Sequence, residues 1–182
     1  MHVPRTLVLR AAQTACAGLV ALLWVLPTTA QDVTEPALRA AFIYNIATFT
    51  RWPADALPPA ASTVMCVLGD EPIAAALERS VKGRLNAGHA IKVSRVTVTG
   101  GLSGCHLAYM SHISPAQAAQ VIAGLRDQPV LTLSDLEGFQ DLGGMVRFFF
   151  DRGRLVFSVN VKAAKPARLD FSAKLLKLAK KP

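Results

Sequence analysis

Twice in this chain an apolar run of strand length leads within a few residues into a helix-capping residue and a proline: TVMCVLG precedes Asp70 and Pro72, and CHLAYMS precedes Ser114 and Pro115. Proline is disruptive inside a helix because it lacks the backbone N–H, but in the first turn that group has no partner to lose. Asp and Ser accept hydrogen bonds from the same unpaired turn. The pattern predicts two strand–helix units, with helices over EPIAAALERSV and PAQAAQVIAGLRDQ, and it places Gln117 as the capping-box partner of Ser114.

The remaining elements follow from periodicity. In PALRAAFIYNIATFTRWP the residues Leu38, Ala41, Phe42, Ile46 and Phe49 recur at helical steps, and Pro53 enforces the end of that helix. The linker ADALPPAAS and the turn-rich KGRLNAGHA carry no element. IKVSRVTV alternates in two phases, which predicts a strand with a bulge where the phase changes. PVLTLSD is a strand, and MVRFFFD and RLVFSVN form a hairpin across Arg152-Gly153. Beyond Asn160 the chain is helical on Leu169, Phe171, Leu175, Leu176 and Leu178, with a break at Pro166. The fold class is α/β: a single three-layer domain over residues 31–182, with a mixed sheet of about six strands and helices on its faces.

Residues 1–30 read as a cleaved signal peptide. Arg5 and Arg10 precede the uncharged run AAQTACAGLVALLWVLP, and Thr28 and Ala30 form a small-x-small site before Gln31. That run falls short of the ~20 residues of a spanning helix, and Pro27 ends it. Gln13, three residues before Cys16, is wrong for lipidation. The expected address is the periplasm. Of the 182 residues, 52% are hydrophobic, so the roughly 150 that remain can build one core.

Cleavage removes two arginines and no acid, lowering the formal charge from +8 to +6. Much of it lies late, in Lys162, Lys165, Arg168, Lys174, Lys177, Lys180 and Lys181. This reads as a solvated face and tail, with attraction to anionic lipid or an acidic partner as the alternative. Export and the lack of any recognisable binding module argue against nucleic acid.

Two cysteines remain, Cys66 and Cys105, in an oxidising compartment, and an even pair there predicts one disulfide; free buried thiols are the alternative. Cys105, His106 and His112 do not make a set of four metal ligands, so neither metal nor cofactor is expected. His89, His106 and His112 fall on separate turns or strand ends. Asp135, Glu137 and Asp141 cluster after a strand without a partner base, and Gly143 and Gly144 fit a tight turn or close packing, not a phosphate loop. No residue is assigned a catalytic role. Arg51 and Trp52, held by Pro53, and Phe139 in its polar loop are the candidate partner or ligand contacts.

The runs AAFIYNIATFTRWP, VMCVLGD, CHLAYMS, LTLSDLEGF…GGMVRFF and RLVFSVN, with a helix ending KLLKLA, together resemble the YfiR-like family of periplasmic proteins, from about Pro36 to Ala179. The resemblance implies a homodimeric, non-enzymatic repressor that binds the periplasmic region of an inner-membrane diguanylate cyclase, lowering cyclic di-GMP and biofilm formation. An OmpA-like outer-membrane lipoprotein would sequester it. It also implies a Cys66–Cys105 bridge between two strands. A second cysteine pair of some members is missing, since GFQDLGGMVRFF has no cysteine. Two other readings stand beside this one: a periplasmic small-molecule sensing module using a pocket near Arg51 and Trp52, acting on another envelope receptor or sensor kinase, and a hydrolase using Asp135, Glu137 and Asp141.

Overall fold

In the computed structural model, which describes residues 34–181, the chain runs α1 (Glu35–Thr48), β1 (Thr50–Arg51), β2 (Thr63–Leu68), α2 (Glu71–Val81), β3 (Leu85–Asn86), β4 (His89–Val96), β5 (Leu107–Met110) and α3 (Pro115–Leu125). It continues through β6 (Leu131–Ser134), β7 (Val146–Asp151), β8 (Arg154–Val159), α4 (Val161–Ala164), β9 (Asp170–Phe171) and α5 (Ala173–Leu178). The signal peptide expected over residues 1–30 lies outside the described residues.

Both strand–helix units form as their capping chemistry dictates. Asp70 accepts from the Ile73 N–H, and Ser114 and Gln117 exchange both bonds of a capping box. The main sheet has seven strands, not about six, in the order β3-β4-β2-β5-β6-β7-β8. Its five inner strands are parallel, and β3 and β8 close the edges antiparallel. The additional strand comes from the expected turn-rich segment: Leu85 and Asn86 pair with Ala90 and His89 across Ala87-Gly88, both at positive φ, the geometry of a tight hairpin turn.

Successive strand residues face opposite layers. Met65, Val67, Leu107, Tyr109, Leu131 and Leu133 pack with α1 and α2, whereas Cys66, Leu68, Ala108 and Met110 pack with α3 and Phe139. That alternation is what makes the domain three-layered. It also accounts for the two phases of β4. Its pairing with β2 runs unbroken from Ile91 to Val96, so the expected bulge is absent; Ile91 and Val93 serve one layer and Val96 the other.

Helix α1 stops at Thr48, short of the expected run to Pro53. Thr50 and Arg51 instead pair antiparallel with Phe171 and Asp170, the extended geometry that suits a chain approaching a proline. At the other end, Pro166 coincides with the expected break, and α4 and α5 are separated by β9. Among the described residues no helix is long and apolar enough to cross a membrane.

Candidate functional site

The chain passes from β2 to β4 on one side and then returns to place β5 on the other side of β2. Between two strands wound outward in this way the carboxyl ends leave a crevice, the place where open α/β sheets hold ligands. Here Gly69 and Asp70 follow β2, Ser111 and His112 follow β5, and Asp135 follows β6. Gly69 has φ of 76°, and a Cβ on it would stand 2.1 Å from the Ser111 carbonyl oxygen, so only glycine lets the two strand ends close up.

Arg39 of α1 reaches into this end. It occupies the apolar stripe of the helix, with Ile43 and Ile46, and is 9% exposed. Its guanidinium donates from Nε and Nη2 to Glu35 Oε1 at 2.9 and 2.7 Å, and from Nη1 to Asp135 Oδ2 at 3.0 Å. The Tyr109 hydroxyl accepts a longer bond from Nη1 at 3.5 Å, and Ser111 Oγ donates to the same Asp135 oxygen at 3.4 Å. Burial pushes the Arg39 pKa down, but the Glu35 hydrogen bond and the Asp135 charge help to leave it above its ordinary value. Burial, reinforced by the Asp135 charge, raises the Tyr109 phenol far above its ordinary value, so it remains a neutral hydroxyl. The guanidinium carbon lies over the half-exposed Phe150 ring, 5.8 Å from its centroid. The protein's own charges are therefore paired with one another at the carboxyl ends of β5 and β6. Arg39 lies outside the sequence-based candidates; its i,i+4 spacing to Ile43 on the buried stripe is the signal that could have found it.

The expected contacts Arg51, Trp52 and Phe139 are not brought together. Arg51 is exposed and pairs with Asp170 at 3.2 Å. Trp52 packs against the core and donates Nε1–H to the His106 carbonyl at 3.0 Å, at the amino end of β5 and so opposite the Arg39 network. His106 is itself a clip: its Nδ1 accepts from the Val64 N–H at 3.1 Å, and its Nε2 meets the Ala56 carbonyl at 3.1 Å. Phe139 is fully buried against the layer of Cys66 and Met110, where a Cβ on Gly144 would stand 2.2 Å from its ring. A side chain so placed cannot touch a partner, which corrects the expectation for Phe139; an aromatic in a polar loop is here a core plug.

The three acids of the same loop diverge as well. Asp135 is committed to Arg39, Glu137 is exposed, and Asp141 faces a separate cleft beside Arg147. Among the described residues no group of three or more His, Cys, Asp or Glu side chains could hold a metal. Cys66 and Cys105 form a disulfide with Cα atoms 5.9 Å apart, joining β2 to the segment that enters β5.

A model of the family described as YfiR/HmsC-like matches residues 36–180 of the chain. No curated protein matches it.

Proposed function

The chain belongs to the YfiR/HmsC-like family, a family of periplasmic regulators of diguanylate cyclases, and from that premise we propose that it represses an inner-membrane diguanylate cyclase by binding the cyclase's periplasmic region. The observation that carries this reading is the extent of the family match, 36–180, which spans both strand–helix units, the disulfide and the terminal hairpin and helices. The Arg39 network supports it too, because charges paired with one another at the strand ends favour a binding protein over an enzyme. So do the apolar side chains that α5 leaves in solvent: Leu176 is 39% exposed and Leu178 62%, beside Lys174 and Lys177.

In this account residues 1–30 are removed on export, and residues 31–182 act as one domain, as a homodimer. The repressor acts by population shift, binding the inactive cyclase conformation better than the active one by the free-energy difference it must impose. An OmpA-like lipoprotein of the outer membrane would compete for it. The small-molecule reading centred on Arg51 and Trp52 has less support, since Trp52 has already used its N–H and Arg51 its charge within the fold.

The test is copurification. The exported, tagged chain should retain from detergent-solubilised membranes of its own cell a protein that converts GTP to cyclic di-GMP once displaced from the resin. A Leu176→Asp and Leu178→Asp variant with an unchanged thermal midpoint should retain at least about tenfold less, as expected for the loss of apolar anchors worth over ~1.4 kcal/mol. Eluates without cyclase activity from wild-type chain would contradict the reading.

A further inference from the structure

On β7 and β8 the register sets Arg147 opposite Ser158 and Phe149 opposite Val156, while Phe148 and Phe157 turn to the α1 side. The outer face of this hairpin therefore belongs to the α3 side of the sheet, where the loop containing Phe139 and the start of α4 border it. What remains is an open cleft of about 650 Å³, lined by Gln140, Asp141, Arg147, Phe149, Lys162 and Lys181, among others. Its size lies within the range of small-molecule sites, ~300–1,000 Å³.

The charges in this cleft are unbalanced. Arg147, Lys162 and Lys181 face one acid, Asp141. Among the described residues none of the three cations is in an ion pair, although Arg39, Arg51, Arg95, Arg168 and Lys180 all are. The Nε of Arg147 is buried and has no hydrogen-bond acceptor, and the guanidinium lies 5.2 Å from the Phe149 ring centroid. A buried, unmatched donor is costly unless something accepts from it. The polar floor is held in place: Ser158 Oγ donates to Gln140 Oε1 at 2.8 Å, and Asn160 Nδ2 donates to the Gln140 carbonyl at 3.4 Å.

We propose that this cleft binds a small organic oxyanion, its carboxylate or phosphate taken by Arg147 with Lys162 and Lys181 and its apolar body lying along Phe149 and Val161. Arginine suits this role because its planar fork matches either oxyanion. The site is independent of the cyclase reading and distinct from the Arg51 and Trp52 region, and it would give the protein a ligand-dependent state.

Calorimetric titration of the exported chain with phenyl phosphate and with citrate tests the proposal and separates the two anion chemistries. At low salt at least one of them should bind with submillimolar affinity. Arg147→Gln should weaken that binding about tenfold or more, the effect of removing a charge-assisted donor. Because Arg147 is partly buried, Lys162→Gln provides a second variant on an exposed side chain, expected to weaken binding about threefold, while Arg79→Gln, on the exposed face of α2, should leave it unchanged. The proposal is overturned if neither probe binds to wild type, or if the Arg147 and Lys162 variants bind as wild type does. Equal weakening by Arg79→Gln would also overturn it, since that is nonspecific attraction to a basic protein.

Discussion

Reducing the Cys66–Cys105 bridge lowers the thermal midpoint of the exported chain by about 10 °C. The two cysteines are 39 positions apart, and in the chain-entropy account closing a loop of that length restricts the unfolded ensemble by about 4 kcal/mol. For a domain of this size each kcal/mol shifts the midpoint by about 2–4 °C. Both residues are buried, at 1% and 7% exposure, and the bridge ties β2 to the start of β5 on the α3 side, where Ala108 and Met110 pack. A Cys66→Ala and Cys105→Ala double variant, which leaves no thiol, should match the reduced protein to within a few degrees. Thermal unfolding with and without reductant reads this directly. An unchanged midpoint, or two free thiols by mass spectrometry in periplasmic material, would contradict the assignment.

Replacing Arg39 by Met destabilises the fold by about 2–3 kcal/mol, below the ~3–5 kcal/mol of breaking a fully buried ion pair, because Asp135 keeps about a third of its side chain in water and Glu35 more than half. Methionine fills the volume of the arginine stem, so the loss reports the unpaired Asp135 carboxylate rather than a cavity. Asp135→Asn alone should cost less, since Ser111 and Arg39 can still bond its amide oxygen. Combining the two should recover about 1 kcal/mol or more relative to the sum of the single changes, as expected for side chains that interact directly. Denaturant unfolding of the four proteins measures the coupling. Strict additivity would show that Arg39 and Asp135 do not depend on each other.

What the sequence reveals and what it hides follow the distance over which each element is specified. The strand–helix units are written in adjacent residues, Asp70 with Pro72 and Ser114 with Pro115, and the β7–β8 hairpin in Arg152-Gly153, where both residues take positive φ. Local chemistry suffices for these. The end of α1 is different, because Thr50 and Arg51 leave the helix to pair with Phe171 and Asp170, partners from the far end of the chain. Helical periodicity running on to Phe49 carries no trace of that pairing. β4 misleads for a related reason: a strand covered unequally on both faces alternates in two phases and imitates a bulge.

The candidate sites are less legible than the fold. Burial inverts the sense of single residues, so Phe139, an aromatic in a polar loop, closes the core, and Arg39, a charge on a helix, is its buried ionic centre. Trp52 and Arg147 show why residue type alone is insufficient. The indole is satisfied by the His106 carbonyl, whereas Arg147, an unremarkable charge within VRFFF, keeps a buried nitrogen without an acceptor. Only the three-dimensional tally of donors and acceptors separates the two.

The central claim, periplasmic repression of a cyclase, is tested most directly by cellular cyclic di-GMP in a strain lacking this gene, complemented either with residues 1–182 or with residues 31–182 alone. If residues 1–30 direct export as proposed, the account predicts that the nucleotide rises on deletion and returns to the parental level only with residues 1–182. An unchanged level on deletion, or full restoration by the chain without residues 1–30, would contradict it.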